Sequence, residues 1–320
     1  MKAAVYYETG APEVLRYEDV AEPTVDANGV LVRVAAISIE GGDTLNRLGG
    51  AMAATPHIVG YQCAGTIVAV GDAVTDRSEG QRVVCVMAHG SHAELVALPA
   101  SWTWVVPDGL DLELAACVPI AFGTADDCLF EFGGLVAGET VLVQAGAGGV
   151  GIAAIQLAKR AGATVLATAS TDEKLARLGP LGLDHGVNYR NEDFADAARR
   201  LTDGRGVDLV VESVGTTLAG SIRSLGYRGR ITYVGDAGRD PQPVDISGLK
   251  EGNQSIHGVF LGAELLMSTR AYANIARLID LVAAGDLHVV VDRSFPLAEA
   301  AAAHAHLEDR RAFGRVVLVP

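Results

Sequence analysis

The sequence contains little cysteine and no long apolar run. Its four cysteines, Cys63, Cys85, Cys117 and Cys128, lie far apart and form no C-x-x-C pair. This spacing argues against a disulfide framework and against a structural zinc site, and we expect buried, reduced thiols. The N-terminus has no signal-peptide core, and no apolar run reaches membrane-spanning length without glycine or charge. We therefore expect a cytoplasmic protein.

Basic residues are also scarce, with 25 lysines and arginines against 39 acidic residues and a formal net charge of −14. Nucleic acids and anionic membranes would repel such a chain, so neither is an expected partner. The chain has 320 residues, of which 49% are hydrophobic. This length exceeds what one hydrophobic core usually organises, and it predicts two domains.

The predicted secondary structure follows two different patterns in the two parts of the chain. Up to about residue 116, short β-like runs alternate with glycine, proline and acidic turns, which is typical of an antiparallel sheet or barrel. These runs lie at 30–36, 65–70, 82–87 and 93–98. After Pro119, strands and helices alternate, which predicts a doubly wound parallel sheet. The strands are expected at 140–145, 164–168, 186–189, 208–213 and 230–234, and the helices at 150–161, 172–178, 192–202 and 217–225.

The C-terminal part predicts a return to β structure. A sixth strand is expected within 255–261, followed by a long helix over about 268–284. Further β-like runs lie at 287–291 and 315–319, and the alanine run at 300–303 predicts a helix between them. We expect the chain to rejoin its first domain here.

The most informative segment is a glycine turn between an apolar strand and an amphipathic helix. Residues 141–151 read VLVQAGAGGVG, and the G-x-G-x-x-G pattern in this context is typical of a dinucleotide site. Gly146 would allow the tight turn, Gly148 would let the backbone approach the phosphates, and Gly151 would let helix and strand pack closely. The unpaired N–H groups of the helix N-terminus would face the pyrophosphate. A plain strand–turn–helix is the alternative interpretation.

Several motifs together resemble those of the medium-chain dehydrogenase/reductases, and specifically of their zinc-independent quinone oxidoreductase branch. The resemblance covers nearly the whole chain. Its carriers are Asp43–Arg47, Val59–Gly65, Ala145–Gly151, Asn188–Arg190 and Gly229–Gly235.

The resemblance implies an α/β fold of two domains with the active site in the cleft between them. A GroES-like, β-rich catalytic domain would occupy residues 1–118. A Rossmann domain with a doubly wound parallel sheet would bind NADPH within 119–262, and residues 263–320 would return to the catalytic domain.

The resemblance also implies an enzyme without metal. Zinc alcohol dehydrogenases of the same superfamily hold catalytic zinc at positions that here read Glu40, Tyr61 and Gln62. One carboxylate beside a phenol and an amide does not supply the ligands that zinc needs. The pair His89 and His92 lacks a nearby cysteine or acid, and we interpret it as a surface loop.

The end of the second Rossmann strand indicates the cofactor. An NAD enzyme commonly places an acid there, whereas residues 168–170 read TAS. We interpret Ser170 as the N-cap of the next helix and Glu173 as its capping-box partner, with Asp172 favourable in the first turn. Lys174 and Tyr189 match positions that hold the 2′-phosphate of NADPH in the resembling enzymes, so NADPH is the expected cofactor. A solvated helix lysine is the alternative for Lys174.

Other cofactor contacts follow from the resemblance alone, at the nicotinamide side and in the last family motif. The expected cofactor-binding residues are Thr124, Gly146, Gly148, Gly149, Val150, Gly151, Ser170, Lys174, Tyr189, Val234, Gly235, Phe260 and Arg315.

Glu40 and Tyr61 are the candidate catalytic residues. The expected reaction transfers hydride from NADPH to a quinone or an α,β-unsaturated carbonyl, whose oxygen then becomes enolate-like. Glu40, in an apolar cleft, could have a raised pKa and donate a proton; a solvent-facing or salt-bridged glutamate is the equal alternative. Tyr61 could donate a hydrogen bond to the substrate oxygen, or it could have no catalytic role.

Three alternative functions remain open, and the resemblance also implies an assembly. Residues 48–56 lack the tyrosine of the related enoyl-thioester reductases, which lowers but does not remove that alternative. An alcohol or carbonyl reductase without zinc, and a non-enzymatic NADPH-binding protein of the crystallin type, are the others. Members of the branch commonly pair through an edge strand, so we expect a homodimer through Ile256–Leu261.

Overall fold

A computed structural model describes residues 1–240 and 242–320 of the chain. The chain forms two units: unit 1 comprises Met1–Ile120 and Ile275–Pro320, and unit 2 comprises Ala121–Asn274. The chain thus enters unit 2 at residue 121 and returns to unit 1 at residue 275. No helix within these ranges is both long enough and apolar enough to cross a membrane.

The N-terminal part of unit 1 consists mainly of strands. They are β1 (Lys2–Tyr6), β2 (Arg16–Asp19), β3 (Gly29–Ser38), β4 (His57–Ile58), β5 (Gln62–Val70), β6 (Arg82–Val86), β7 (Leu95–Pro99) and β8 (Thr103–Val105). The helices are α1 (Gly41–Gly49), α2 (Leu112–Ala116) and, at the unit boundary, α3 (Pro119–Asp126). A π-helical turn, Asp127–Glu131, continues from α3.

Unit 2 alternates strands and helices. The strands are β9 (Thr140–Val143), β10 (Thr164–Ala169), β11 (His185–Asn188), β12 (Val207–Glu212), β13 (Leu225–Tyr233) and β14 (Ser255–Gly258). The helices are α4 (Gly149–Arg160), α5 (Asp172–Leu178), α6 (Phe194–Leu201), α7 (Leu218–Ser224) and α8 (Leu261–Met267). The described strands lie in the order β11-β10-β9-β12-β13-β14, and neighbours are parallel. This is the Rossmann strand order, so the predicted doubly wound sheet is confirmed.

The C-terminal segment completes the sheet of unit 1. It consists of α9 (Arg270–Ala283), β15 (Val291–Pro296), α10 (Ala300–Glu308) and β16 (Arg315–Val319). Within the described ranges, the larger sheet of unit 1 has the order β15-β16-β3-β5-β6-β8, with β7 also paired to β3. Strand β16 pairs antiparallel with the end of β3, so the end of the chain lies in unit 1.

The apolar pattern of the strands explains both cores. Along β3, Val30, Val32 and Val34 are buried at every second position, as expected for one face against a core. Strands β9 and β12 are buried almost without interruption, which is typical of parallel strands covered on both faces.

The C-terminal region differs from the predictions in two places. The strand expected at 287–291 begins only at its last residue, as β15, because the N–H groups of Asp286 and Leu287 bond to Leu281 O and close the end of α9. The helix expected over 268–284 is present as α9, but a separate helix, α8, precedes it, since Ser268 is extended with φ −137° and interrupts the helical path.

Candidate active site

The glycine turn lies where the strand order of unit 2 reverses. Strand β9, which ends at Val143, lies between β10 and β12. Open α/β sheets bind their ligands beyond the carboxyl ends of the strands at such a point. The turn is therefore positioned for a dinucleotide.

The conformation of the turn corrects the role given to Gly146. The residue with positive φ is Ala145, at 51°, so Gly146 does not supply a left-handed conformation. A Cβ on Gly146 would lie 2.8 Å from the Cβ of Ala167, which shows that glycine is needed here for packing against β10. A Cβ on Gly151 would lie 2.4 Å from Ala145 O, so glycine here lets the helix pack against the turn, whereas the prediction was packing against the strand.

The start of α4 fits a pyrophosphate. Gly148 is the N-cap and has no side chain to cap the helix. A Cβ placed there would meet nothing nearer than Ala145 O at 3.4 Å, so this side of the backbone is open. The N–H groups of Gly149 and Val150 belong to the first helical turn, which has no intrahelical acceptors. Phosphate oxygens are suitable acceptors for such groups.

Buried hydrogen bonds support the turn from beneath, a feature that the sequence analysis missed. Thr168 Oγ1 accepts from Ala145 N at 3.1 Å and donates to Gln144 Oε1 at 2.7 Å. Gln144 Nε2 in turn donates to Ser221 Oγ at 3.1 Å. Ser221 donates to the carboxylate of Glu212 at 2.6 Å. The turn is thus linked to β10, β12 and α7 by side chains that its own motif does not contain.

The helix after β10 begins one residue later than predicted. The N-cap of α5 is Thr171, whose Oγ1 accepts from Lys174 N at 3.3 Å, so the assignment of Ser170 as N-cap was wrong. Serine and threonine are both good N-caps, and here the extended backbone of Thr171 decides between them. Ser170 lies half-buried just before the cap, and Lys174 lies half-buried in the first turn of α5.

Tyr189 lies at the carboxyl end of β11, beside the end of β10. Its N–H donates to Ala169 O at 3.2 Å, and the residue is 41% exposed. The structure therefore places Lys174 and Tyr189 after neighbouring strands at the same edge of the sheet. Nearby, the carboxylate of Asp172 accepts a hydrogen bond from Asn188 Nδ2 at 2.8 Å.

A cavity of about 390 Å³ lies beyond the ends of β13 and β14. Three residues predicted for the nicotinamide side, Val234, Gly235 and Phe260, line it. Phe260 is 73% exposed. Thr124 is buried within α3 and is not among the lining residues.

In unit 1, Glu40 forms a buried ion pair with Arg315. The two side chains bond directly, and Gln62 Nε2 donates to the same carboxylate. Arg315 also donates to Ser38 Oγ at 2.7 Å and to Ile39 O at 2.7 Å. Burial raises the pKa of Glu40, while Arg315 and Gln62 oppose this shift. Of the two alternatives for Glu40, the structure has the salt-bridged one.

Tyr61 lies across the first turn of α1. A Cβ on Gly42 would lie 2.6 Å from the tyrosine ring, so glycine at this position makes room for it. Asn46 Nδ2 donates to the Tyr61 hydroxyl at 2.6 Å. Burial, followed by the charges of Asp43 and Glu40, raises the pKa of Tyr61 far above its ordinary value. The hydroxyl therefore stays protonated at neutral pH.

Asp43 was not among the predicted site residues, yet it bonds the backbone of Glu40 and its charge acts on Tyr61. Its Oδ2 accepts from Glu40 N at 2.8 Å, which begins α1. Asp43 is fully buried, and burial raises its pKa well above the usual range. The spacing of Glu40 and Asp43 is that of a capping box, and this signal in the sequence could have revealed the contact.

The interpretation of His89 and His92 as a surface loop was wrong for His92. That residue is fully buried, and its Nε2 lies 3.0 Å from Nε2 of His304. His89 is exposed and lies against the ring of His57. The partner of His92 is 212 positions away, so local sequence gave no indication of the pair.

Side chains that commonly bind metals do not cluster in the described part of the chain: it holds no group of three or more His, Cys, Asp or Glu suited to a metal. At the positions compared with zinc ligands, the Glu40 carboxylate is already bound by a guanidinium and an amide.

Comparison with known proteins agrees with this fold. The model of the alcohol dehydrogenase GroES-like domain matches residues 26–108, and that of the zinc-binding dehydrogenase domain matches residues 181–318. A 2-haloacrylate reductase from Burkholderia sp is 34% identical, over 99% of this chain and 98% of the relative. A quinone oxidoreductase from Pseudomonas aeruginosa is 34% identical, over 97% of each chain. The structure of Escherichia coli quinone oxidoreductase complexed with NADPH covers all of both chains at 28% identity, with a TM-score of 0.95.

These similarities extend over both units and over nearly the full length of the relatives. The chain therefore belongs to the medium-chain dehydrogenase/reductase superfamily and, within it, to the quinone oxidoreductase-like branch.

Proposed function

We propose that this chain is an NADPH-dependent oxidoreductase that reduces a quinone or an α,β-unsaturated carbonyl without a metal ion. The observation that carries this proposal is the open glycine turn at the reversal point of the sheet in unit 2. The relatives named quinone oxidoreductase and 2-haloacrylate reductase support the acceptor class. When bound, NADPH would supply the hydride that adds to the electron-poor carbon of the acceptor.

Unit 2 provides the proposed cofactor contacts. The backbone around Gly148 would hold the pyrophosphate, because its N–H groups point out of the first turn of α4. Lys174 and Tyr189 would hold the 2′-phosphate with a cation and a hydroxyl group. Val234 and Phe260, which line the cavity beyond β13 and β14, would contact the nicotinamide side.

Tyr61 is the proposed hydrogen-bond donor to the acceptor oxygen. Its oxygen accepts from Asn46, which leaves its own O–H available to donate elsewhere. A neutral phenol can stabilise an enolate-like oxygen without losing its proton, and water can complete the protonation. Glu40 begins α1, the helix that carries Asn46, so we assign Glu40 a positioning role toward Tyr61.

The proposed absence of zinc chemistry rests on the donor groups. Zinc requires deprotonated thiolate, imidazole or carboxylate ligands that are not already engaged. The only carboxylate at the compared positions, Glu40, is paired with Arg315 and bonded by Gln62.

A screen of acceptors with NADPH tests the function. Quinones, enones and enoyl thioesters should be compared by following the consumption of NADPH. We expect turnover of at least one quinone or enone, with NADPH preferred over NADH. Tight NADPH binding without turnover of any acceptor would instead favour a non-enzymatic, crystallin-like role, and a clear preference for enoyl thioesters would change the substrate class.

A homodimer that pairs through β14 is part of the proposal. In the described sheet β14 is an edge strand beside β13, and the residues that follow it include Phe260, Leu266 and Met267, which are 73%, 68% and 85% exposed. Pairing would cover an open strand edge and these apolar side chains. Sedimentation should give twice the chain mass of 33.1 kDa, and Leu266→Asp with Met267→Asp should shift it toward the monomer. A monomeric wild-type protein at micromolar concentration would contradict the dimer.

We also propose a cytoplasmic location. All four cysteines are buried free thiols, and Cys63 and Cys85 face each other as cross-strand partners. Thiols so placed are compatible with a reducing compartment. Fractionation of the native cells tests this location. Recovery of the protein outside the cytoplasm would contradict it.

A further inference from the structure

Asn188 connects the two loops that follow β10 and β11. It is the last residue of β11, and it lies opposite Ala169, the last residue of β10. Its Nδ2 donates to Asp172 Oδ1 at 2.8 Å, and its Oδ1 accepts from Arg190 N at 3.1 Å. One side chain thus joins the start of α5 to the loop that carries Tyr189 and Arg190.

Asp172 is an exposed acid in the first turn of α5, two residues before Lys174. An acid near this strand end can accept hydrogen bonds from the 2′-hydroxyl of an NAD ribose. The same carboxylate would repel a 2′-phosphate dianion. Whether Asp172 favours NADH or tolerates NADPH therefore depends on the hydrogen bonds that its oxygens already accept.

Charges around the loop favour a phosphate once Asp172 is engaged. Both acids of the β11 loop are paired: Glu192 with Arg200 at 2.7 Å and Asp193 with Arg223 at 2.7 Å. Arg190 is exposed, and its backbone is held by Asn188. Glu173 is also exposed in the first turn of α5. A 2′-phosphate at this strand end would therefore have both acidic and basic side chains nearby, and its binding depends on where each side chain is held.

We propose that Asn188 is a positioning residue that sets the preference of this chain for NADPH over NADH. By bonding Asp172 Oδ1, it ties that carboxylate to the end of β11 and competes with a ribose hydroxyl for its oxygens. By accepting from Arg190 N, it holds the backbone of the loop that carries Tyr189 and Arg190 at the same strand end. This inference rests on the proposed function, specifically on the placement of the 2′-phosphate near Lys174.

Binding of cofactor fragments tests the proposal without any hydride transfer. Adenosine 2′,5′-bisphosphate carries the 2′-phosphate, and adenosine 5′-monophosphate carries a 2′-hydroxyl in its place. Calorimetry on the full-length protein should compare both ligands with the wild type, Asn188→Ala, Asp172→Ala/Asn188→Ala and Asn191→Ala. Asn191→Ala is the matched control, because Asn191 is an exposed asparagine of the same loop.

We expect Asn188→Ala to weaken binding of the bisphosphate about tenfold, since a hydrogen bond to a charged group is lost and the acid is released. Binding of the monophosphate should stay the same or become tighter. The double variant should regain most of the bisphosphate affinity, because the released acid is gone. Asn191→Ala should resemble the wild type with both ligands.

Three results would overturn the inference. They are unchanged bisphosphate binding in Asn188→Ala, an equal loss for both ligands, and no recovery in the double variant. Lys174→Ala separates this failure from that of the proposed function. If Lys174→Ala weakens bisphosphate binding and Asn188→Ala does not, only the role of Asn188 fails; if neither has an effect, the phosphate does not bind at this strand end.

Discussion

At the scale of single residues, the Tyr61 hydroxyl combines a fixed position with a retained proton. The ring lies over Gly42, and the oxygen accepts from Asn46 at 2.6 Å. Because burial and neighbouring carboxyl groups raise its pKa, the phenol donates hydrogen bonds across the neutral pH range. These properties suit a group that stabilises charge on an acceptor oxygen.

Tyr61→Phe should lower kcat on the best acceptor about tenfold or more, since a positioned hydrogen-bond donor is lost. Binding of NADPH should change little, and steady-state kinetics with direct cofactor titration measures both. Tyr7→Phe is the control, because Tyr7 is an exposed tyrosine of unit 1 that bonds Glu18. Full activity in both Tyr61→Phe and Glu40→Gln would remove this pair from the mechanism.

For unit 1, the sequence supplied candidate residues but not their contacts. Glu40 was a candidate proton donor, yet its partner Arg315 lies 275 positions away. Buried His92 likewise contacts His304, which lies 212 positions away. Contacts at such separations follow from the way the C-terminal segment, with α10 and β16, packs in unit 1, which local patterns do not specify.

At the scale of secondary-structure elements, the strands and helices of unit 2 were predicted well because each carries a strong local signal. Buried apolar strands and amphipathic helices alternate there, and glycine marks the turn after β9. The cap of α5 was misplaced by one residue because Ser170 and Thr171 are both suitable. Helix α8 was missed, since its apolar residues directly follow a strand and resemble its continuation.

The glycine turn gives a prediction that separates binding from folding. Gly148→Ala should leave the free energy of unfolding nearly unchanged, because the nearest atom to its Cβ would be 3.4 Å away. It should raise the Kd for NADPH about tenfold or more, since a methyl group would occupy the side open to the phosphates.

Gly151→Ala is the matched variant in the same turn. Its Cβ would lie 2.4 Å from Ala145 O and 2.7 Å from Gly146 Cα, so the backbone must move. We expect a loss of about 1–3 kcal/mol in the free energy of unfolding. Urea melts and cofactor titration of both variants provide the comparison, and a large loss of stability in Gly148→Ala would contradict the open geometry.

At the scale of the whole molecule, the buried histidine pair makes stability depend on pH. Burial lowers the pKa of His92 to about 3, and burial with the nearby charges lowers the pKa of His304 well below its ordinary value. At these two histidines the unfolded chain therefore binds more protons than the folded chain below about pH 6.5. The stabilisation is complete above that pH and is lost as the pH falls toward 3.

Urea melts at about pH 7.5 and about pH 5 should show this loss in the wild type. His304→Gln should show a smaller difference between the two pH values, because one of the two groups no longer titrates. His185→Gln, which changes an exposed histidine of unit 2, should retain the wild-type difference. An unchanged pH dependence in His304→Gln would contradict the assignment of this effect to the pair.

The central claim is that the chain transfers hydride from NADPH to a quinone or enone without a metal. The most direct measurement is the rate of NADPH oxidation with a quinone and with an enone, using protein treated with a strong chelator and freed of it by dialysis. We expect the rate to be retained and kcat/KM to be higher with NADPH than with NADH. Loss of activity that zinc restores, or a clear preference for NADH, would contradict it.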